Sequence, residues 1–212
     1  PEPVAAEGQL LIEVSRAGIN YADTHQAENS YLSETTLPVI PGGEVVGTTA
    51  DGRRVVALLA SGGYAERAVA SEYTSYDVPD DIDDVTALAM IVQGATAWLL
   101  LRRSTHMAAG ESVVVHAAAG GVGSIAVQLA KAWGAGRVIA TASSEEKRQL
   151  ALSLGADVAI DSRADDMTAA IREANGGKRV DVILDMTGGR ITDESVNALA
   201  PFGRLGFYGQ AS

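Results

Sequence analysis

A short glycine-rich segment is the part of this sequence whose residue types best suit binding of a phosphate group. Residues 116–123 read His-Ala-Ala-Ala-Gly-Gly-Val-Gly and stand between an apolar β-like run and a helix-like segment. A pyrophosphate must approach the backbone closely, and the first turn of a helix offers it free N–H groups and the positive end of the helix dipole. The pattern therefore predicts a dinucleotide-binding loop formed by Ala119, Gly120, Gly121, Val122 and Gly123.

This loop departs from the usual G-x-G-x-x-G pattern at one position, since Ala118 stands where the first glycine would be. Gly120 permits close approach of the ligand, and Gly123 lets the helix pack tightly on the strand. A glycine turn in an α/β fold that binds no nucleotide is the alternative interpretation.

The residues after the next β-like run indicate which dinucleotide would bind. An acidic side chain about 20 residues beyond the glycines normally holds the ribose hydroxyls of NAD, but Thr141 stands at this position. Ser143 and Ser144 leave room for a 2′-phosphate, and Lys147 or Arg148 could neutralise it. This pattern favours NADP(H) over NAD(H). The same residues also suit a helix start, with Ser143 and Glu146 as a capping box and Lys147 as a solvated charge.

Strands and helices alternate regularly from Glu111 onward. The strands are short and apolar: Ser112–His116, Arg137–Thr141, Val158–Ile160, Val180–Asp185 and Arg204–Tyr208. The helices are amphipathic: Gly121–Trp133, Ser144–Leu154, Met167–Ala174 and Thr192–Leu199. Because buried strands alternate with amphipathic helices, the sequence predicts an α/β fold with a doubly wound parallel sheet covered on both faces.

Residues 1 to about 80 have a different texture, with β-like runs between turn residues. The strand candidates are Gln9–Ser15, Glu44–Thr48, Arg54–Leu58 and Ala65–Ala70. They predict a small, mostly β domain. The acidic stretch Asp80–Asp84 then caps a helix predicted over Val85–Arg103, with a break near Gly94. We therefore expect one domain over residues 1–90 and a second over residues 91–212.

Composition excludes several classes of function. Of 212 residues, 16 are Lys or Arg and 27 are Asp or Glu, which gives a net charge of −11. This acid excess argues against nucleic acid and membrane surfaces as partners. The absence of cysteine excludes disulfides, thiol catalysis, thiolate zinc sites and iron–sulfur clusters. No apolar run reaches the roughly 18 residues of a membrane span, and we expect a cytoplasmic protein.

Several motifs occur in an order that resembles one known superfamily. They are A-G-I-N-Y-A-D-T (17–24), P-G-G-E-V-V-G (41–47), G-G-Y-A-E (62–66), Q-G-A-T-A (93–97), V-D-V-I-L-D (180–185) and G-R-L (203–205). Together with the glycine-rich loop, they resemble the medium-chain dehydrogenase/reductase superfamily and, within it, the zinc-free quinone oxidoreductases, or zeta-crystallin-like proteins. The resemblance covers nearly the whole chain.

The resemblance implies a GroES-like, mostly β N-terminal domain and a Rossmann domain that binds NADP(H). It implies reduction of a quinone or a related α,β-unsaturated carbonyl compound in the cleft between the two domains. It also implies further segments before Pro1 and after Ser212, and a homodimer. Zinc-dependent members carry a histidine where Gly43 stands, and the three histidines of this sequence have no ligand spacing, so we expect no metal site.

The resemblance also assigns candidate site residues. Without zinc, hydrogen-bond donors must meet the negative charge that develops on the acceptor oxygen. The residues implied for this role are Asn20, Tyr31, His25 and Thr96. The further residues implied for cofactor binding are Gln93, Thr96, Arg163, Gly188, Phe207 and Gly209. Each of six candidates also has a purely structural interpretation. Asn20 could be a turn residue, His25 a loop residue and Tyr31 a residue at the edge of the core. Thr96 could be a helix-interior residue, Arg163 a surface charge and Gly188 the start of a helix.

Two other functions stay open. An enoyl-thioester reductase would use a similar loop, but the N-terminal half has few basic residues that would bind such a substrate. The second is a non-catalytic, crystallin-like protein that binds NADPH. Loss of every hydrogen-bond donor near the nicotinamide would favour this role. Asn20, Tyr31 and Thr96 all remain, which favours the reductase.

Overall fold

A computed structural model describes residues 2–30 and 36–209 of the chain. These residues form two compact units, and the division falls after Val92. The boundary predicted from the sequence lies after residue 90. Each unit has its own sheet and its own buried apolar residues.

The first unit is built on a five-stranded antiparallel sheet with the order β4-β1-β2-β3-β5. Its strands are β1 (Gln9–Ala17), β2 (Glu44–Thr49), β3 (Arg54–Leu58), β4 (Arg67–Ser71) and β5 (Ser75–Asp77). Side chains alternate between the two faces of a strand, so Ile12 and Val45 belong to one buried cluster while Val46, Val56 and Leu88 belong to another. This architecture confirms the expected GroES-like, mostly β domain.

Three short elements of the first unit are absent from the sequence prediction. They are α1 (Tyr21–Ala27), a 3₁₀ turn (Glu72–Thr74) and strand β5. Helix α1 starts after Asn20, whose extended backbone donates its N–H to Asp23 Oδ2 at 2.8 Å. Seven residues show too few turns for a helical hydrophobic period to be visible.

One helical run extends over Asp84–Ser104 and changes its hydrogen-bond pattern along its length. It comprises α2 (Asp84–Ala89), a π turn (Met90–Gly94), α3 (Ala95–Leu99) and a second π turn (Leu100–Ser104). The expected break near Gly94 is wrong, because the first π turn includes Gly94 without ending the helix.

The same run is long and apolar enough to cross a membrane when judged by length and composition alone. Core helices of other proteins meet this criterion as well. Leu88 in the first unit, and Leu100 and Leu101 in the second, are buried among other apolar side chains. Length and composition alone are therefore weak evidence that this helix spans a membrane.

The second unit contains a five-stranded parallel sheet with the order β10-β9-β6-β7-β8. Its strands are β6 (Ser112–Val115), β7 (Arg137–Ala142), β8 (Val158–Asp161), β9 (Val180–Asp185) and β10 (Leu199–Phe207). The chain proceeds outward from β6 to β8 and then returns to the other side of β6 as β9. Ligands of open α/β sheets bind at such a reversal, beyond the carboxyl ends of the strands.

Helices cover both faces of this sheet. They are α4 (Gly121–Ala132), α5 (Glu145–Ser153), α6 (Met167–Ala174) and α7 (Gly189–Ala198). Val113 and Val115 pack into one cluster with residues of α4 and α5, whereas Val114 packs into another with residues of α6 and α7. The predicted doubly wound sheet is confirmed. Helix α7 begins three residues earlier than Thr192, the predicted start.

Two adjacent arginines in the second π turn reach two different tryptophan rings. The guanidinium carbon of Arg102 lies 4.1 Å from the ring centroid of Trp133, and that of Arg103 lies 5.6 Å from the centroid of Trp98. Thr105 closes this turn, since its backbone N–H donates to Leu100 O at 2.9 Å across five residues.

Candidate functional site

The glycine-rich loop forms a tight turn between β6 and α4. Ala117 adopts the left-handed conformation, with φ of +50°, and its carbonyl accepts the Gly120 N–H at 2.9 Å. A Cβ at Gly123 would collide with the Ala117 carbonyl oxygen and would lie 2.8 Å from Ala118 Cα. Only glycine therefore lets α4 start this close to the strand. The loop leaves the first N–H groups of α4 open to a ligand.

A cavity of about 330 Å³ lies beside this loop, at the carboxyl ends of β6 and β7. Its lining includes four of the predicted cofactor residues, Ala119, Gly120, Ser143 and Lys147. The other lining residues are His116, Ala117, Thr141, Ala142, Ser162, Met186, Thr187 and Ile191. The backbone cradle, the hydroxyl donors and the lysine fit a phosphorylated dinucleotide.

The start of α5 differs from the predicted capping box. Ser144, not Ser143, precedes the helix, and its hydroxyl accepts the backbone N–H of Lys147 at 3.3 Å. The Ser144 hydroxyl is thus engaged as the helix cap, whereas Ser143 lines the cavity. The Ser143 and Glu146 pairing is wrong by one residue, because sequence spacing alone admits either serine as the cap.

The cations near this cavity differ in their partners. Lys147 lines the cavity itself. Arg163 and Arg148 instead both contact Asp161, at 3.2 Å each. The hydrogen bonds from Arg163, followed by the charges of both arginines, lower the pKa of Asp161 to about 2. Arg163 is therefore held in an ion pair outside the cavity lining.

A buried histidine at the base of the cavity is a site feature that the sequence analysis missed. His116 is 1% exposed. Its Nδ1 lies 3.1 Å from Thr141 Oγ1, and its Nε2 lies 2.8 Å from Ser195 Oγ. Burial lowers the pKa of His116 to about 4, although the charge of Asp185 opposes this shift. A polar residue ending an otherwise apolar strand was the signal in the sequence.

The remaining cofactor candidates lie at ends of elements in the second unit. Gly188 has φ of +81° and directly precedes α7, which matches its interpretation as a helix start. Phe207 is the half-exposed last residue of β10, and Gly209 follows with φ of +69°. Gln93 lies in the first π turn, and a Cβ at Gly121 would come within 2.9 Å of its Cγ. Gln93 thus contacts the start of α4.

A second cavity, of about 470 Å³, lies in the first unit. Its lining residues are Ala17, Ile19, Asn20, Asp23, Thr24, Ala27, Pro41 and Tyr64. Apolar walls with a few polar groups are typical of small-molecule sites. Among the predicted catalytic residues, Asn20 is part of this lining.

Hydrogen bonds to two buried carboxylates fix the polar groups of this cavity. Asn20 Nδ2 donates to Glu44 Oε1 at 2.7 Å, and Tyr64 Oη donates to Asp23 Oδ2 at 2.7 Å. Glu44 is fully buried and Asp23 is 7% exposed. Burial, the hydrogen bond to Asp23 and the charges of both acids raise the pKa of Tyr64 to about 12. Tyr64 therefore keeps its proton at neutral pH.

Two other predicted catalytic residues, His25 and Thr96, are not part of this cavity lining. His25 lies on α1, with Nδ1 3.0 Å from Ser30 Oγ and its ring edge-on to Tyr21 at 5.0 Å. Thr96 lies on α3 in the second unit and is half-buried. Tyr31 lies outside the described residues. Within residues 2–30 and 36–209, no group of three or more His, Cys, Asp or Glu side chains could hold a metal ion.

Two family models match the chain. The model described as Alcohol dehydrogenase GroES-like domain matches residues 6–80, and the model described as Zinc-binding dehydrogenase matches residues 121–212. The first match includes the antiparallel sheet, and the second extends from the start of α4 through the parallel strands β7 to β10.

Individual proteins match over nearly the whole chain. The quinone oxidoreductase of Lama guanicoe is 36% identical over 214 residues, which cover 96% of this chain and 64% of that protein. The 2-haloacrylate reductase of a Burkholderia species is 33% identical over 97% of this chain and 66% of that protein. The structure of Escherichia coli quinone oxidoreductase complexed with NADPH superposes with a TM-score of 0.92 at 32% identity, covering all of this chain and 68% of the other. The chain thus spans about two thirds of the length of these relatives.

Proposed function

The chain belongs to the quinone oxidoreductase family of the medium-chain dehydrogenases/reductases, and from this premise we propose that it is part of an NADPH-dependent oxidoreductase. The enzyme transfers a hydride to a quinone or a related α,β-unsaturated carbonyl compound without zinc. The observation that carries the proposal is the cavity that joins the glycine-rich loop to Ser143 and Lys147. It offers a pyrophosphate cradle and a cation for the 2′-phosphate in one unit.

The second unit, in this proposal, holds the cofactor, with a domain boundary near residue 90. The N–H groups of Gly121, Val122 and Gly123 at the start of α4 bind the pyrophosphate. Lys147 and Ser143 bind the 2′-phosphate. Gln93, Thr96 and the loops after β9 and β10 complete the contacts. Bound NADPH supplies the hydride, and the protein supplies orientation and electrostatics.

The first unit holds the acceptor in the cavity lined by Asn20 and Tyr64. Glu44 accepts one N–H of the Asn20 amide, which fixes the amide plane at the wall of the cavity where the acceptor oxygen would lie. His25 supplies the proton as a general acid. Tyr31 and Thr96 are the further donors. Hydride and proton together reduce the carbonyl compound by two electrons.

The test is consumption of NADPH by the full-length protein with a simple quinone as acceptor and NADH as the control cofactor. Rapid oxidation of NADPH and slow oxidation of NADH is the expected result. Binding of NADPH without quinone reduction would contradict the quinone assignment and favour a non-catalytic binding role. Absence of NADPH binding would contradict the cofactor assignment.

A second candidate activity is reduction of a 2-haloacrylate or an enoyl thioester. The observation that favours the 2-haloacrylate is the 33% identity to a 2-haloacrylate reductase; the enoyl thioester is the alternative that the glycine-rich loop suggests. A 2-haloacrylate and an enoyl thioester offered to the same enzyme distinguish the two activities. A kcat/KM higher for either than for every quinone offered would move the assignment to that class.

The proposal extends to assembly and location. We expect a homodimer in the cytoplasm. Sedimentation of the full-length protein tests the dimer, and a monomer at micromolar concentration would contradict it. Fractionation of the source cells tests the location.

A further inference from the structure

A cluster of ion pairs lies at the carboxyl ends of the neighbouring strands β7 and β8, beside the cavity next to the glycine-rich loop. Asp161 is the last residue of β8 and pairs in register with Ala142, the last residue of β7. The next residue, Ser162, lines the cavity, and its N–H donates to Ala142 O at 3.2 Å. The end of the second Rossmann strand is where the adenosine ribose binds. Asp161 therefore stands one strand away from the expected position of the 2′-phosphate.

Asp161 engages both arginines of this region. Arg163 reaches it with Nε and Nη2, at 3.2 Å each, and also with its backbone N–H at 2.9 Å. Arg148 reaches Oδ2 with Nη1 at 3.2 Å and also donates to Ala142 O. In the described part of the chain, the guanidinium of Arg163 bonds only to Asp161. Its side chain is 70% exposed, so little besides this pair fixes its direction.

We propose that Asp161 is a specificity-determining residue that weakens binding of the NADPH 2′-phosphate by holding Arg163 in an ion pair and adding a negative charge beside the cavity. The inference rests on the proposed function. A guanidinium matches phosphate in a bidentate geometry, but an arginine already paired with a carboxylate must break that pair to bind. Lys147 is then the cation that carries the phosphate preference of this chain.

Arg148 contributes less to this competition than Arg163. A second acid, Glu145, also holds it, at 3.0 Å from Nη2, and its side chain is only 18% exposed. Loss of Asp161 therefore leaves Arg148 in place and releases Arg163. The freed arginine and the lost negative charge act in the same direction, toward tighter phosphate binding.

The experiment compares Asp161→Asn with Asp157→Asn as the matched control. Asparagine keeps the oxygen that accepts the Arg163 backbone N–H, and it removes the charge. Asp157 precedes β8 at its opposite end and pairs with Lys131, so this substitution makes the same charge change away from the cavity. The dissociation constants of NADPH and NADH are measured by fluorescence titration, without an acceptor.

We expect Asp161→Asn to lower the Kd for NADPH about threefold to tenfold, as one unscreened charge near a phosphate allows, and to leave the Kd for NADH within twofold. The gain shrinks in high salt because the charges are exposed. Asp157→Asn leaves both constants unchanged. A gain in affinity cannot result from misfolding, and Asp161→Ser provides the same test if the asparagine variant folds poorly.

Arg163→Gln separates release of the arginine from removal of the acid. In the unaltered chain this substitution changes the Kd for NADPH less than twofold, whereas in the Asp161→Asn chain it cancels most of the gain. An unchanged or higher Kd for NADPH in Asp161→Asn would overturn the inference, and so would a large loss in Arg163→Gln alone. If no variant bound either nucleotide, the proposed function itself would fail.

Discussion

Among single residues, Lys147 is the one proposed to discriminate between the two nicotinamide cofactors. Lys147→Gln should raise the Kd for NADPH about tenfold or more, because a charged hydrogen bond to the 2′-phosphate is lost, and should leave the Kd for NADH unchanged. Titration of both cofactors measures this. Lys131→Gln is the control, since Lys131 pairs with Asp157 outside the cavity lining. Equal weakening of both cofactors by Lys147→Gln would contradict the assignment.

The buried His116 makes stability depend on pH. Its pKa is about 4 in the folded chain against 6.5 in the unfolded chain, so the unfolded chain binds the proton more readily. Stability is therefore fully present above pH 6.5 and falls as the pH drops toward 4, by roughly 3 kcal/mol in total. His116→Gln, which has no titrating group, should lose correspondingly less stability between pH 7 and pH 4.5.

Urea unfolding of both proteins at the two pH values measures this difference. Acidic side chains with lowered pKa values contribute equally to both proteins, and the comparison cancels them. An identical loss in the histidine and glutamine proteins would show that His116 is not the source.

The sequence could place Lys147 near the glycine-rich loop, where it lines the cavity, but it could not predict the His116 cluster, and the reason is distance along the chain. Lys147 follows the glycines at the spacing that the Rossmann fold fixes. The partners of His116 lie 25 and 79 residues away, and only the pairing of β6 with β7 and the packing of α7 bring them together. The contact between Asp161 and Arg148 was missed for the same reason, since β8 reaches the end of β7 only in the sheet.

At the scale of elements, the turn from β6 into α4 depends on the absence of a side chain at Gly123. Gly123→Ala should lower the free energy of unfolding by about 1–3 kcal/mol, because the added carbon forces the helix away from the loop. It should also weaken NADPH binding, since the proposed function assigns the pyrophosphate to the same N–H groups. Chemical unfolding and cofactor titration measure the two effects.

Ser124→Ala is the control for this glycine, one residue further along α4. Its hydroxyl is exposed and donates only to Gly121 O, at 3.0 Å, within the described contacts. We expect a change within about 0.5 kcal/mol. A Gly123→Ala protein as stable as this control would contradict the close approach of helix and loop.

Elements with a strong hydrophobic pattern were predictable, and those set by local contacts were not. Strands β3 and β9 and helix α6 have the predicted bounds, because their burial fixes the pattern of apolar residues. Helix α1 depends instead on the bond between Asn20 N–H and Asp23. The two π turns each insert a residue into the helix, which a regular helical period does not encode.

At the scale of the whole molecule, cofactor binding should stabilise the second unit. NADPH at 100 times its Kd should raise the free energy of unfolding of that unit by about 2.7 kcal/mol, because it binds only the folded state. Both tryptophans of the sequence, Trp98 and Trp133, lie in this unit, so their fluorescence follows its unfolding. The same concentration of NADH should stabilise it less. Equal stabilisation by both cofactors would contradict the preference for NADPH.

The second π turn changes how this helix should be compared with those of related proteins. A π turn contains one residue more than an α turn, which rotates every later side chain by about 100° relative to a regular helix. A helical wheel drawn through Leu100–Ser104 therefore assigns the two arginines to the wrong faces. Alignments should permit a single-residue gap inside this turn. A relative that lacks the extra residue would have a regular α turn here, and its helix would stay continuous.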